Sequence, residues 1–182
     1  MKSEVVEEQE GITIMRSILD APGVDTLEGR FGPLLNAKRG GTHYVEVPPG
    51  AYMDDHAHPR ESVIFTVHGE WVLCSKGTRW HMRAGDLFWF GDGVPTGYEN
   101  PFEQPAFLLI FKVEDRTPGY DGAMLERLTK MRATLEDEHA KGTAFLFSEI
   151  PADHPAKEFA RALRSAPPGS TEHKDRRREG LI

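Results

Sequence analysis

Two histidines one residue apart, His56 and His58, are the side chains of this sequence whose type and spacing most suggest chemistry. On extended backbone, side chains alternate between faces with period two, so imidazoles at i and i+2 look the same way. Their ring nitrogens can then converge on one ion, as zinc requires at about 2.0–2.1 Å. The pair lies between the turn Pro48-Pro49-Gly50 and the apolar run Val63–Val67, next to a segment that reads as a central strand. Asp54 and Asp55 precede it and suit local turn hydrogen bonds. His43, Glu46, His68, His81 and Glu99 are further candidates that the sequence does not aim.

Other chemistries lack their signatures. The chain has no G-x-S-x-G elbow, no phosphate-cradling glycine loop and no H-E-x-x-H helix. Cys74 is the only cysteine, which excludes an intramolecular disulfide and a cysteine-only metal cage. In its apolar context it reads as a small buried residue rather than a nucleophile.

The elements that must position the histidines are short. Candidate strands are Thr42–Val47, Val63–His68, Glu70–Ser75, Thr78–Arg83, Leu87–Phe90 and Ala106–Lys112, separated by glycine- or proline-bearing breaks. Such punctuation predicts antiparallel strands joined by tight turns, hence an all-β sandwich or barrel. Beyond Pro118 the composition changes. Met124, Leu125, Leu128, Met131 and Leu135 recur at helical spacing within Tyr120–Ala140, which predicts a helix docked by its apolar stripe. A second short helix is expected over Ala156–Ser165, and the polar residues 166–182 read as a disordered tail. The expected organisation is a β-domain over residues 1–117, a helical extension packed on it over 118–165, and the tail.

Composition narrows the function. The chain has 182 residues, 28% of them charged, with a formal net charge of −7. One domain with appendages fits that length. The acidic balance argues against nucleic acid and anionic membranes, which need a basic field. The apolar run Ala106–Phe111 is far too short to span a bilayer. Met1–Glu10 has no basic lead into an apolar run, so a cytoplasmic setting is the default expectation.

The segment around His56 resembles the cupin superfamily. Gly50, His56, His58 and Gly69 match the first cupin motif in register; Gly85, Gly93 and Asn100 match the second, with Gly91 at its proline position. The resemblance covers about Gly41 to Lys112. It implies an antiparallel β-barrel, also called a double-stranded β-helix or jelly roll, with a C-terminal helical extension. The motif residues would line its pocket. In that family three histidines and a glutamate hold a metal. Here Ser62 stands at the glutamate position, with Glu61 one place early, and Thr96 stands at the second-motif histidine position.

Two functional readings follow. In the first, His56 and His58 hold a divalent metal (Zn, Fe, Mn or Ni) and the chain is a dioxygenase, isomerase or lyase for a small organic substrate. Tyr98 or Glu61 would serve as acid or base, and Ser62, Thr96, Tyr98 and Asn100 would line the pocket. In the second, a metal-free cupin binds or senses a small ligand without catalysis. A degenerate barrel acting as a dimer scaffold is a third, plainer possibility. The resemblance also implies a homodimer.

Overall fold

The computed structural model describes residues 4–9, 12–37, 40–113 and 120–165. The chain forms two compact units, Met1–Pro151 and Ala152–Ile182. The expected tail at 166–182 lies outside the described residues.

The first unit is built on antiparallel strands. A hairpin of β1 (Glu4–Gln9) and β2 (Ile12–Arg16) comes first. Then follow β3 (Val24–Thr26), β4 (Gly29–Ala37), β5 (Gly40–Val47), β6 (Tyr52–Ala57), β7 (Ser62–His68) and β8 (Glu70–Ser75). The last four are β9 (Thr78–Arg83), β10 (Leu87–Phe90), β11 (Pro95–Glu99) and β12 (Ala106–Val113). One sheet has the order β10-β7-β12-β5-β4-β3 and the other β6-β11-β8-β9. The antiparallel jelly-roll architecture agrees with expectation. Its hydrogen bonding divides into these two sheets and, among the described residues, does not run round a closed barrel.

Period-two alternation sorts each strand into a core face and an outer face. Val45 and Val47 of β5, Ile64 of β7, Phe90 of β10, and Leu108 and Ile110 of β12 enter the core from the large sheet. Met53, Trp71, Leu73, Met82 and Tyr98 enter it from the small one. Each such large apolar side chain stabilises the fold by about 1.5–3 kcal/mol when fully buried. Trp71 also carries a polar atom inside, and its indole N–H donates to Thr66 Oγ1 at 3.0 Å.

Turns set the register. Between β8 and β9, Lys76 and Gly77 both have positive φ, 50° and 79°. A two-residue hairpin turn of that kind matches the twist of its strands and calls for glycine. Asp55 of β6, two strands from β8 in the same sheet, fixes it by accepting the Lys76 N–H at 2.6 Å.

The outer face of the large sheet is covered in one region, where Ala21, Leu34, Tyr44 and Phe107 cluster with Met15 and Ile18. Elsewhere it remains bare, and Leu87, Trp89 and Phe111 are 62%, 63% and 40% exposed.

Helix α1 (Tyr120–Ala140) belongs to the first unit. Its Met124 and Leu128 pack on Val24 of β3 and Phe31 of β4. In the second unit, α2 (Pro155–Ser165) begins with proline at its first helical position, where no N–H is required. His154 Nδ1 accepts the Ala156 N–H at 3.2 Å, satisfying one of the helix's otherwise unpaired donors. No helix among the described residues is long and apolar enough to cross a membrane.

Candidate functional site

The site is built on a bulge. β11 pairs with β6 so that Thr96 faces His56 and Tyr98 faces Met53, with a register shift between them. Gly97 alone therefore spans Asp54 and Asp55. A Cβ at Gly97 would stand 2.4 Å from the Met53 carbonyl oxygen, so only glycine admits the close approach. The extra residue brings Met53 and His56, three apart in sequence, to one face. That face is the core side, because Tyr98 and Met53 are both core residues.

His58 lies just past the end of β6 and turns back beside His56. Their ring centroids are 4.5 Å apart. His56 is exposed and His58 half-buried. The His58 ring packs against Phe90 at 4.9 Å, and its Nε2 makes a long contact of 3.4 Å with the Thr96 carbonyl oxygen. Burial pushes the His58 pKa down to about 4, helped by His56 and by the ammonium of Lys112. At neutral pH this imidazole is uncharged.

The large sheet supplies the opposite wall. Ser62 pairs directly with Phe90 on β10 and with Lys112 on β12. Directly paired residues point to the same side, so all three share the core face. Lys112 Nζ lies 5.5 Å from the centre of the Phe90 ring. Ser62 is fully buried, and its hydroxyl has no hydrogen-bond partner among the described residues. Buried His43 faces inward one row deeper, paired with Ile110. One end of the core thus gathers His56, His58, Thr96, Ser62 and Lys112 around Phe90.

Two expected acid–base groups are not available there. Glu61 precedes inward-facing Ser62, and its carboxylate accepts the indole N–H of exposed Trp89 at 2.9 Å. The one-residue offset turns it to the outer face. Tyr98 does point inward, but its hydroxyl donates to the Glu28 carbonyl oxygen at 2.5 Å. Complete burial raises its pKa well above the usual phenol value, so it holds its proton. Tyr98 fastens the β3–β4 turn to the core. Asn100, expected in the pocket lining, is a clamp as well. Its amide donates to the carbonyl oxygens of Val47 and Gln104, and its side-chain oxygen accepts the Phe102 N–H.

The remaining ionisable candidates sit elsewhere. Glu46 pairs with Arg30 at 3.3 Å, and His68 stacks against Phe107. His81 bonds to Glu70 at 2.6 Å and stacks on Phe102. Glu99 is buried on the outer side of β11, bonded to Arg79 at 2.9 Å. Lys112 is the site residue that sequence reasoning passed over. Its signal was the alternation Leu108, Ile110, Lys112, which carries the core face to the end of β12.

A family model described as "Cupin domain" matches residues 43–112, the stretch that contributes His43, His56, His58, Ser62, Thr96 and Lys112. This segment is a cupin domain. Solved cupin-like folds resemble it at low identity. A putative ethanolamine utilization protein Q from Salmonella typhimurium LT2 is 12% identical with a TM-score of 0.52, over 62% of this chain and 94% of that one. The EutQ protein of Clostridium difficile is 13% identical with a TM-score of 0.51, over 63% and 88%. The polyketide cyclase RemF from Streptomyces resistomycificus is 23% identical with a TM-score of 0.45, over 56% and 74%. At such identities the likeness is one of fold. No curated protein matches the sequence significantly.

The cupin domain invites the question of whether its residues fit a metal. The glutamate and third-histidine positions hold Ser62 and Thr96, neutral hydroxyls that are poor ligands for a divalent transition metal. Among the described residues, no group of three or more His, Cys, Asp and Glu side chains could hold an ion. The Lys112 ammonium adds like charge beside His58. The donor set does not fit a divalent transition metal.

Proposed function

We propose that this cupin domain binds a small organic molecule at the polar end of its core without a resident metal. The observation that carries the reading is the wall formed by Ser62 and Lys112, a neutral hydroxyl and an ammonium where a metal cupin presents a carboxylate. His56 and His58 then act as hydrogen-bonding groups. The low pKa of His58 keeps it neutral, able both to donate and to accept. Phe90 provides an apolar floor for the ligand body.

A metal-dependent dioxygenase, isomerase or lyase finds less support. It would need ligands that Ser62 and Thr96 do not supply, and an acid or base that Tyr98 and Glu61 are not placed to be. The proposed assembly is a homodimer, joined through the bare face of Leu87, Trp89 and Phe111, since apolar surface of that kind gains by leaving water.

Native mass spectrometry of the isolated chain tests the reading. The expected spectrum shows the apoprotein mass together with organic adducts that dissociate on denaturation. A uniform increment of one divalent metal per chain would overturn it.

A further inference from the structure

The loop that carries His58 is held from both sides of the sheet it borders. We infer that residues 58–61 form a clip over the edge strand β10, which couples Trp89 on the outer face to His58 at the polar end of the core. Asp92 and Glu61 are its positioning residues. The inference rests on the reading above in taking His58 as part of a ligand site.

The first observation is where the loop sits. It joins β6 to β7, and β10 is the outermost strand of the large sheet, paired with β7. Neighbouring residues of β10 point to opposite faces, so Phe90 looks into the core and Trp89 outward. The two ends of the loop follow them. The His58 ring packs on Phe90 at 4.9 Å, and the Glu61 carboxylate accepts the Trp89 indole N–H at 2.9 Å. One strand is thus gripped inside and outside by the first and last residues of a single short loop.

The second is the fastening of the loop itself. Its two ends are tied to the loop between β10 and β11. The Gly93 N–H donates to the His58 carbonyl oxygen at 2.8 Å, and the Glu61 N–H donates to Asp92 Oδ1 at 2.6 Å. A carboxylate acceptor makes a stronger bond than a neutral one. Loosening at Asp92 therefore frees Glu61 directly, and His58 through the same short segment.

The third is continuity. Hydrogen bonds and one peptide link run unbroken from Trp89 through Glu61, Asp92 and Gly93 to His58. A contiguous network of this kind can carry coupling between two places. Trp89 is 63% exposed and lies in the face assigned above to a second copy. A second copy that covers the indole then changes how firmly His58 is held, and a ligand at His58 changes association in equal measure.

Carbethoxylation of the full chain by diethyl pyrocarbonate tests the clip, at neutral pH in buffer containing EDTA, with each histidine read separately by tandem mass spectrometry. Half-buried His58 is the reporter, and exposed His56 on β6 is the internal control. Asp92→Ala should speed His58 about threefold or more, because one fastening is lost, and leave His56 unchanged. Asp92→Asn keeps an acceptor oxygen and should match the parent. Trp89→Phe keeps an aromatic ring, removes the indole N–H and should speed His58 about twofold. No change at His58 in Asp92→Ala, or equal acceleration of His56, would overturn the clip. No change at His58 in Trp89→Phe would overturn the coupling to the outer face. Added zinc that protects both histidines of the parent in the absence of EDTA would instead overturn the metal-free reading, and the clip would still be decided by the series in EDTA.

Discussion

Ser62 and Lys112 are direct partners across β7 and β12, and both face the core of the cupin domain. The pairing places a buried, unsatisfied hydroxyl beside an ammonium. Removing the hydroxyl should therefore stabilise the unliganded fold. Ser62→Ala is expected to gain about 1 kcal/mol, since an unmet buried hydroxyl costs about 1–3 kcal/mol. The denaturant midpoint read at constant m-value checks this, and a loss of stability would mean that the hydroxyl has a partner in solution.

Tyr98 is a fastening rather than an acid. Tyr98→Phe removes one hydrogen bond, from the hydroxyl to the Glu28 carbonyl oxygen. The expected cost is about 1–2 kcal/mol in unfolding free energy. Ligand affinity should be unaffected. A large affinity loss at unchanged stability would restore Tyr98 to the site.

Glu28 should make stability depend on pH. Burial and the nearby Glu138 of α1 raise its pKa from 4.5 to about 7. Between those values the folded chain keeps a proton that the unfolded chain has released. Stability from this group is therefore undiminished below about pH 4.5, falls as pH rises towards 7, and is level above. The loss is at most about 3 kcal/mol, from 1.36 kcal/mol per pKa unit. His58 has the opposite sense, because its depressed pKa favours the fold as pH rises from 4 to 6.5. The effect of Glu28 is isolated by comparing the parent with Glu28→Gln from pH 4.5 to 8. The variant should gain on the parent up to about pH 7 and hold that gain to pH 8. A constant difference would contradict the assignment.

The bare outer face gives a prediction about assembly. Trp89→Lys places a charge in the middle of the proposed dimer contact, where like charges from two copies would meet. Light scattering at micromolar concentration should show a dimer for the parent and a monomer for the variant. A parent that is monomeric throughout would dispose of this interface.

Much of the fold was legible in the sequence for a local reason. Lys76-Gly77 and Ala84-Gly85-Asp86 leave little slack between neighbours, so β8, β9 and β10 fall where the turn residues put them. β6 and β11 were not found. Asp54, Asp55, Pro95 and Gly97 are poor strand formers, and the bulge between the two strands interrupts the alternation that announces a half-buried strand. The site was legible in part. His56 and His58 could be paired from their spacing, and the inward side of Tyr98 follows from period two. Its partner could not, because Glu28 is 70 residues away and supplies only a backbone oxygen. The offset of Glu61 was visible, but its bond to Trp89 depends on tertiary pairing of β7 with β10. Lys112 went unnoticed because a lysine ending a strand looks like solvent-facing charge until its neighbour on β7 is known.

The central claim is that this cupin domain works without a bound transition metal, and elemental analysis tests it most directly. Protein purified without chelator, alongside the His56→Ala, His58→Ala double variant, should contain far less than one equivalent of zinc, iron, manganese or nickel, with no difference between the two. About one equivalent in the parent, absent from the double variant, would contradict the account.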